Sequence, residues 1–299
     1  MLSLRALPAW SLYAMTIGVW GTTFLAITYE LGRTQPEDSV AIRFCLASGV
    51  MFALCMVSRA RRRFDARQHA WFALQGFFTF SLSYVLTYRC EQHVPSGMVA
   101  VLFTLMIFWN AFGARLLFGA PLTRAMMLAA ALGVAGVTAL FWQDVAGMRA
   151  SATSHSYVLA LGFGLIATLS SSAGNMVATR NGKKGIEVLP ATTWSMAWGA
   201  LFATVYAACN APQWHLDTRP SYWFAMLYLA VFGSVVAFTA YFELMRRVGP
   251  AKSAYIGAIT PVISVLLSVG VEHYRLGALQ VGGMSLALAG LWLSIRARS

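Results

Sequence analysis

The side chains of this 299-residue chain that can do chemistry are hydroxyls, amides and aromatic rings set inside long apolar stretches. Thr16, Trp20, Thr22 and Thr23 fall in the first stretch; Phe77, Phe78, Ser81, Ser83, Tyr84 and Tyr88 in the third; Trp109 and Asn110 in the fourth. Ser170, Ser171, Ser172 and Asn175 fall in the sixth, Thr239 and Tyr241 in the eighth, and Ser253, Tyr255 and Thr260 in the ninth. Hydroxyls and amides can hold the ammonium and carboxylate of a zwitterion without burying a full charge, and apolar or aromatic walls accept its side chain. Two other readings compete. Ser and Thr in such stretches often bond their own backbone or a neighbouring helix, and Trp and Tyr often belong to interfacial belts.

Reactive clusters are missing. The chain has no HExxH or GxSxG motif and no paired carboxylates, which argues against a membrane-embedded enzyme. The five histidines stand singly near stretch ends, without metal-ligand spacing. Cys45, Cys55, Cys90 and Cys209 form no CxxC pair and read as small apolar packers. No metal or cofactor is expected. No ring of charge of the kind a channel would use is visible either.

The elements that position these groups are membrane spans. Hydrophobic residues make up 59% of the chain and charged residues 11%, where a soluble protein carries about a quarter. Ten spans are expected, at 8–29, 39–58, 70–89, 96–118, 122–142, 156–178, 188–209, 221–245, 250–271 and 276–295, each near the roughly 20 residues a bilayer needs. Stops are visible between them: Gly32 and Pro36, Gly119 and Pro121, Asn181-Gly182, Pro220, and Gly249-Pro250. The N-terminal run shows no small-x-small cleavage site and reads as a retained first span.

Charge orients the spans. With an internal N-terminus, sixteen of the 22 Lys and Arg residues fall on one side, including the RARRRF run at 59–64. Cytoplasmic loops attract Lys and Arg, so both termini are expected inside. The net charge of +12 is then a topology signal, reinforced by anionic inner-leaflet lipid, and implies no nucleic-acid partner. Within the spans charges are few. Arg43, near the outer end of the second span, reads as an anchor able to snorkel. Glu243 lies near the inner end of the eighth, beside Arg246 and Arg247, and Glu272 closes the ninth. None reads as a proton carrier at the midplane.

The ninth stretch carries Pro261 near its middle. Proline cannot donate to the carbonyl of Gly257, and its ring bends the helix. A carbonyl freed in lipid needs protein or a water-filled cavity, so Gly257 and Pro261 read as a hinge in a cavity wall; a packing kink is the competing reading. Small-x3-small pairs, Ala129-x3-Gly133 and Gly283-x3-Ala287, point to close packing of the fifth and tenth spans, with a dimer contact as the alternative.

The second half looks like a copy of the first. ALGVAGV at 131–137 pairs with LALAGLW at 286–292, and Val94-Pro95-Ser96-Gly97 with Gly249-Pro250-Ala251-Lys252. Two repeats are expected, 1–149 and 150–299, each of five spans. An odd number makes the copies enter from opposite faces, the inverted plan of many secondary transporters.

IGVWGTTFLAI in the first span, VAIRF opening the second, VPSGMVAVLFTL in the fourth and FELMRRVGPAKSAYIGAITPVISVLLSVGVEHYRLGALQVGGMSLALAGL at the end resemble the EamA-type drug/metabolite transporters, and among them most nearly the aromatic-amino-acid exporters. The first copy departs from the second in having Met106 or Ile107 where Pro261 stands. The resemblance implies an all-α membrane protein of ten helices in two inverted halves around a central cavity lined by helices 1, 3, 4, 6, 8 and 9. It also implies export of metabolites such as amino acids across a bacterial inner membrane. On those helices the substrate-binding candidates are Thr16, Trp20, Thr23, Phe78, Ser81, Tyr84, Trp109, Asn110, Ser171, Asn175, Tyr241 and Tyr255. Alternating access without obligatory proton coupling is expected, with proton-coupled efflux as the alternative. The expected partners are a small-molecule substrate and membrane lipid, in a monomer or weak homodimer.

Overall fold

A computed structural model describes residues 7–61, 63–146, 152–210, 216–253 and 256–296. Among these the chain makes ten helices. They are α1 (Ala9–Thr28), α2 (Pro36–Val57), α3 over 66–91, α4 (Ser96–Phe118), α5 (Arg124–Ala146), α6 (Ala152–Lys183), α7 (Val188–Asn210), α8 over 220–253, α9 (Ile256–Val271) and α10 (Ala278–Arg296). Each expected span overlaps one of them. Five segments, Ala9–Thr28, Pro36–Val57, Ser96–Phe118, Ser156–Lys183 and Pro220–Val248, are long and apolar enough on their own to cross a membrane.

Local chemistry explains most boundaries. Pro36 and Pro220 sit in the first turns of α2 and α8, where the missing N–H costs nothing. Asp65 caps α3 by accepting from the Gln68 N–H, while Gln68 accepts from the Asp65 N–H. Gly119, at φ +68°, closes α4 in the left-handed conformation that glycine adopts freely. Two expected stops are not stops. α6 runs through Asn181-Gly182 to Lys183, and Gly185, at φ +75°, follows it. Asn181 is instead buried, donating to the Gln75 side chain at 3.1 Å. α8 runs through Gly249-Pro250 to Ser253, since a membrane helix tolerates proline when neighbours satisfy its backbone.

Two helices widen at matching places. α3 contains a π turn at Gly76–Leu82 and α8 one at Leu229–Val236, recurring at the spacing of the internal repeat. α4 tightens into a 3₁₀ turn at Phe103–Leu105, in the region that corresponds to Pro261 within α9. The first copy thus lacks the proline yet still has a local irregularity.

The buried apolar residues form two main clusters. One joins α1, α2, α3, α7 and α8 through Leu12, Phe44, Met51, Phe80, Met196 and Phe238. The other joins α4, α5, α6, α9 and α10 through Leu102, Leu105, Leu140, Ala160 and Val265. α5 and α10 pack backbone to backbone. A Cβ on Gly136 would stand 2.5 Å from the Ala287 nitrogen and the Gly283 carbonyl oxygen. The Gly283-x3-Ala287 pair therefore serves scaffold packing. Its partner is Gly136, while Gly133 faces the Phe108 ring instead.

Candidate functional site

A cavity of about 110 Å³ lies between the two apolar clusters. That is space for roughly seven to eleven water-sized positions, the scale of a small metabolite. It is lined from α1 by Trp20, Thr23, Phe24 and Ile27, from α3 by Thr79, Tyr84 and Thr87, and from α4 by Ala100, Phe103, Met106, Ile107 and Asn110. Ser171 and Asn175 come from α6, Phe238, Tyr241 and Ser253 from α8, and Ile256, Gly257, Thr260 and Pro261 from α9. α2 adds Arg43.

The π turns build its walls. The wider helical path leaves carbonyl lone pairs open to a side-chain donor, and each turn takes one from the other half of the chain. Ser170 Oγ of α6 donates to the Phe78 carbonyl at 2.8 Å. Trp20 Nε1 of α1 donates to the Gly233 carbonyl at 3.3 Å. The latter bond fixes the indole against Phe238 and Tyr241, with ring centroids 5.1 and 5.0 Å away. The Asn175 amide nitrogen lies 3.4 Å from both Asn110 Oδ1 and the Tyr241 hydroxyl. Ser171 shares a 2.8 Å hydrogen bond with Ser83, which also meets the Ala167 carbonyl. Thr79 and Thr260 present buried hydroxyls with no partner among the described residues, open positions on the cavity wall.

The cavity therefore gathers Trp20, Thr23, Tyr84, Asn110, Ser171, Asn175, Tyr241, Gly257 and Pro261 from the sequence candidates. Four others turn away. Thr16 bonds the Leu12 carbonyl of its own helix, Trp109 donates to Thr168, Phe78 packs on Phe77, and Ser81 is buried off the cavity wall. Tyr255 lies outside the described residues.

Arg43, expected as an anchor able to snorkel, does not reach water: its side chain is fully buried near the N-terminal end of α2. Nε donates to Ser234 Oγ at 3.0 Å and Nη1 to the Tyr88 hydroxyl at 3.2 Å. The guanidinium stands 4.6 Å from the Tyr84 ring centre, within cation–π range. The Tyr88 hydroxyl donates onward to Glu30 Oε2 at 2.8 Å. Glu30 follows α1 and is also fully buried. Burial pushes its carboxyl up to about 8, against the opposing pull of Arg43 and of the Tyr88 hydrogen bond.

Other carboxylates near helix ends are paired or hydrogen-bonded. Glu37 accepts both contacts from Arg89 Nη2, at 2.9 and 3.0 Å. Glu272 caps the start of α4 by accepting from the Ser96 N–H and hydroxyl. Glu243 pairs with both Arg246 and Arg247, each at 2.7 Å.

Replacing Trp20 with Phe keeps the ring but removes the donor to Gly233. The expected loss is about 1 kcal/mol of stability, read as an earlier unfolding midpoint in mixed micelles. An unchanged midpoint would mean that the carbonyl is satisfied without the indole.

The family model described as the EamA-like transporter family matches this chain twice, at residues 8–142 and 158–296. The uncharacterized inner membrane transporter YedA of Escherichia coli is 28% identical over 90% of this chain and 84% of its own length. Protein PecM of Dickeya dadantii is 24% identical over 89% of this chain and 85% of its own. The uncharacterized transporter YyaM of Bacillus subtilis is 22% identical over 94% and 92%. One solved crystal structure superposes on 97% of this chain and 99% of its own with a TM-score of 0.69 at 17% identity, which is a likeness of fold. With both repeats matched and helices long enough to cross a membrane, the chain belongs to the EamA-like transporter family.

Proposed function

We propose that this protein exports small metabolites, amino acids foremost, across a bacterial inner membrane by alternating access, without obligatory proton coupling. The observation that carries the reading is the cavity, which helices of both halves line. It is walled by aromatic rings, hydroxyls and amides, with one cationic side chain and no carboxylate among the described lining residues. Such a wall suits a small zwitterion with an apolar or aromatic body and agrees with the resemblance to aromatic-amino-acid exporters. In this reading all ten helices span the membrane, and the repeats 1–149 and 150–299 are inverted and rock against each other around the cavity. The inner-membrane assignment draws on the name of the YedA relative, and cytoplasmic termini follow from the charge asymmetry.

Orientation is tested by single-cysteine labels replacing Arg61 and Thr218, both exposed. An impermeant reagent is expected to reach them from opposite faces; labelling from one face sinks the ten-span arrangement.

A second reading, proton-coupled efflux, is favoured by Glu30, whose buried carboxyl is poised to exchange a proton near neutral pH. Glu243 is a poorer carrier, because two arginines hold its charge. Proteoliposomes loaded with labelled amino acids separate the two readings. Downhill efflux with no uphill accumulation under an imposed pH gradient is expected. Gradient-driven accumulation abolished by Glu30→Gln would establish the second reading in its place.

A further inference from the structure

Arg43 is the one charged side chain among the described residues lining the cavity. A guanidinium has five N–H donors. Here Nε serves Ser234 and Nη1 serves Tyr88, and Nη2 has no acceptor among the described residues. Nη2 lies beside Gly233, where a Cβ would come within 3.0 Å of it. No carboxylate is within ion-pair distance of the guanidinium among the described residues. The carboxyl group next along the chain of contacts, Glu30, stands beyond the Tyr88 hydroxyl and off the cavity wall.

A fully buried guanidinium with an unused donor nitrogen is expensive in a low-dielectric setting. An anion arriving in the cavity would relieve that cost. Nη2 keeps its N–H donors for a charge-assisted hydrogen bond to a carboxylate oxygen. It is a single nitrogen, so it has room for one such group. The same wall carries the rings of Trp20, Phe24, Phe103 and Phe238. No lining carboxylate among the described residues offers a counter-charge to an ammonium.

Resting on the transport reading above, we infer that the cavity selects small monocarboxylates with an apolar or aromatic body, and that Arg43 binds the carboxylate directly. An amino group on the ligand is tolerated by the neutral oxygens of the wall and is not required.

The test uses the full-length protein in nanodiscs of zwitterionic lipid and three probes that share a phenethyl body: the near-isosteric pair 3-phenylpropionate and 3-phenylpropanamide, and the amine phenethylamine. Equilibrium binding to the wild type is expected to favour the carboxylate over the amide by about tenfold or more, with phenethylamine weakest. Arg43→Gln is expected to lower carboxylate binding to the level of the amide while leaving amide binding unchanged. Equal binding of carboxylate and amide by the wild type, or no measurable 3-phenylpropionate binding, overturns the assignment even if the Arg43 variant fails to fold. So does a tenfold preference that survives in Arg43→Gln. Efflux of the same probes from proteoliposomes keeps the two proposals apart. Carboxylate-selective binding without efflux would contradict the transport reading and leave the assignment of Arg43 standing. Efflux of amide or amine without carboxylate preference would do the reverse.

Discussion

A backbone carbonyl with an open lone pair inside a membrane has no water to turn to, and much of this architecture follows from that. The π turns in α3 and α8 create such positions at Phe78 and Gly233, and in each case the donor comes from the other half of the chain, Ser170 or Trp20. Ser83 and Ser264 make the same kind of contact to the Ala167 and Gly21 carbonyls. The halves are therefore held together by directional bonds as well as apolar packing. Trp20 and Asn175 both line one cavity, each against Tyr241.

Electrostatics divides the molecule by depth. At the end of the bundle where α1 begins, Glu243 is neutralised by Arg246 and Arg247. At the end where α1 finishes, Glu37 is neutralised by Arg89 and Asp217 by Arg219. Arg43 is different, because its contacts are hydroxyls and an aromatic face. A charge left in that state between the halves is available to whatever enters.

The ten-helix plan was legible in the sequence because length, apolarity and the Lys/Arg asymmetry are properties of whole segments. The cavity was legible in part. Trp20, Tyr84, Asn110, Asn175 and Tyr241 are large or polar groups in mid-span, and each reaches the wall. Thr16 and Trp109 looked equivalent to them, but whether a residue meets the cavity or its own backbone depends on helix rotation, which a nearly uniform apolar segment does not encode. Arg43 and Glu30 were hidden for another reason. A charge at a span end ordinarily reaches water, and only the neighbours Tyr88 and Ser234, remote in sequence, close that route. The π turns carry no signature beyond their glycines, so the bonds across the halves could not be foreseen. The extension of α8 past Gly249-Pro250 shows that proline is a weak stop where lipid and neighbouring helices protect the backbone.

The central claim is that solute crosses through the cavity between the halves, exposed to each side in turn. Ser171→Cys, an isosteric change on the cavity wall, tests it most directly in a transport-active background whose four native cysteines are replaced. The account predicts modification by a membrane-impermeant thiol reagent from either face, and protection from both faces by the transported solute. Modification from one face alone, or modification that the solute does not slow, would contradict it.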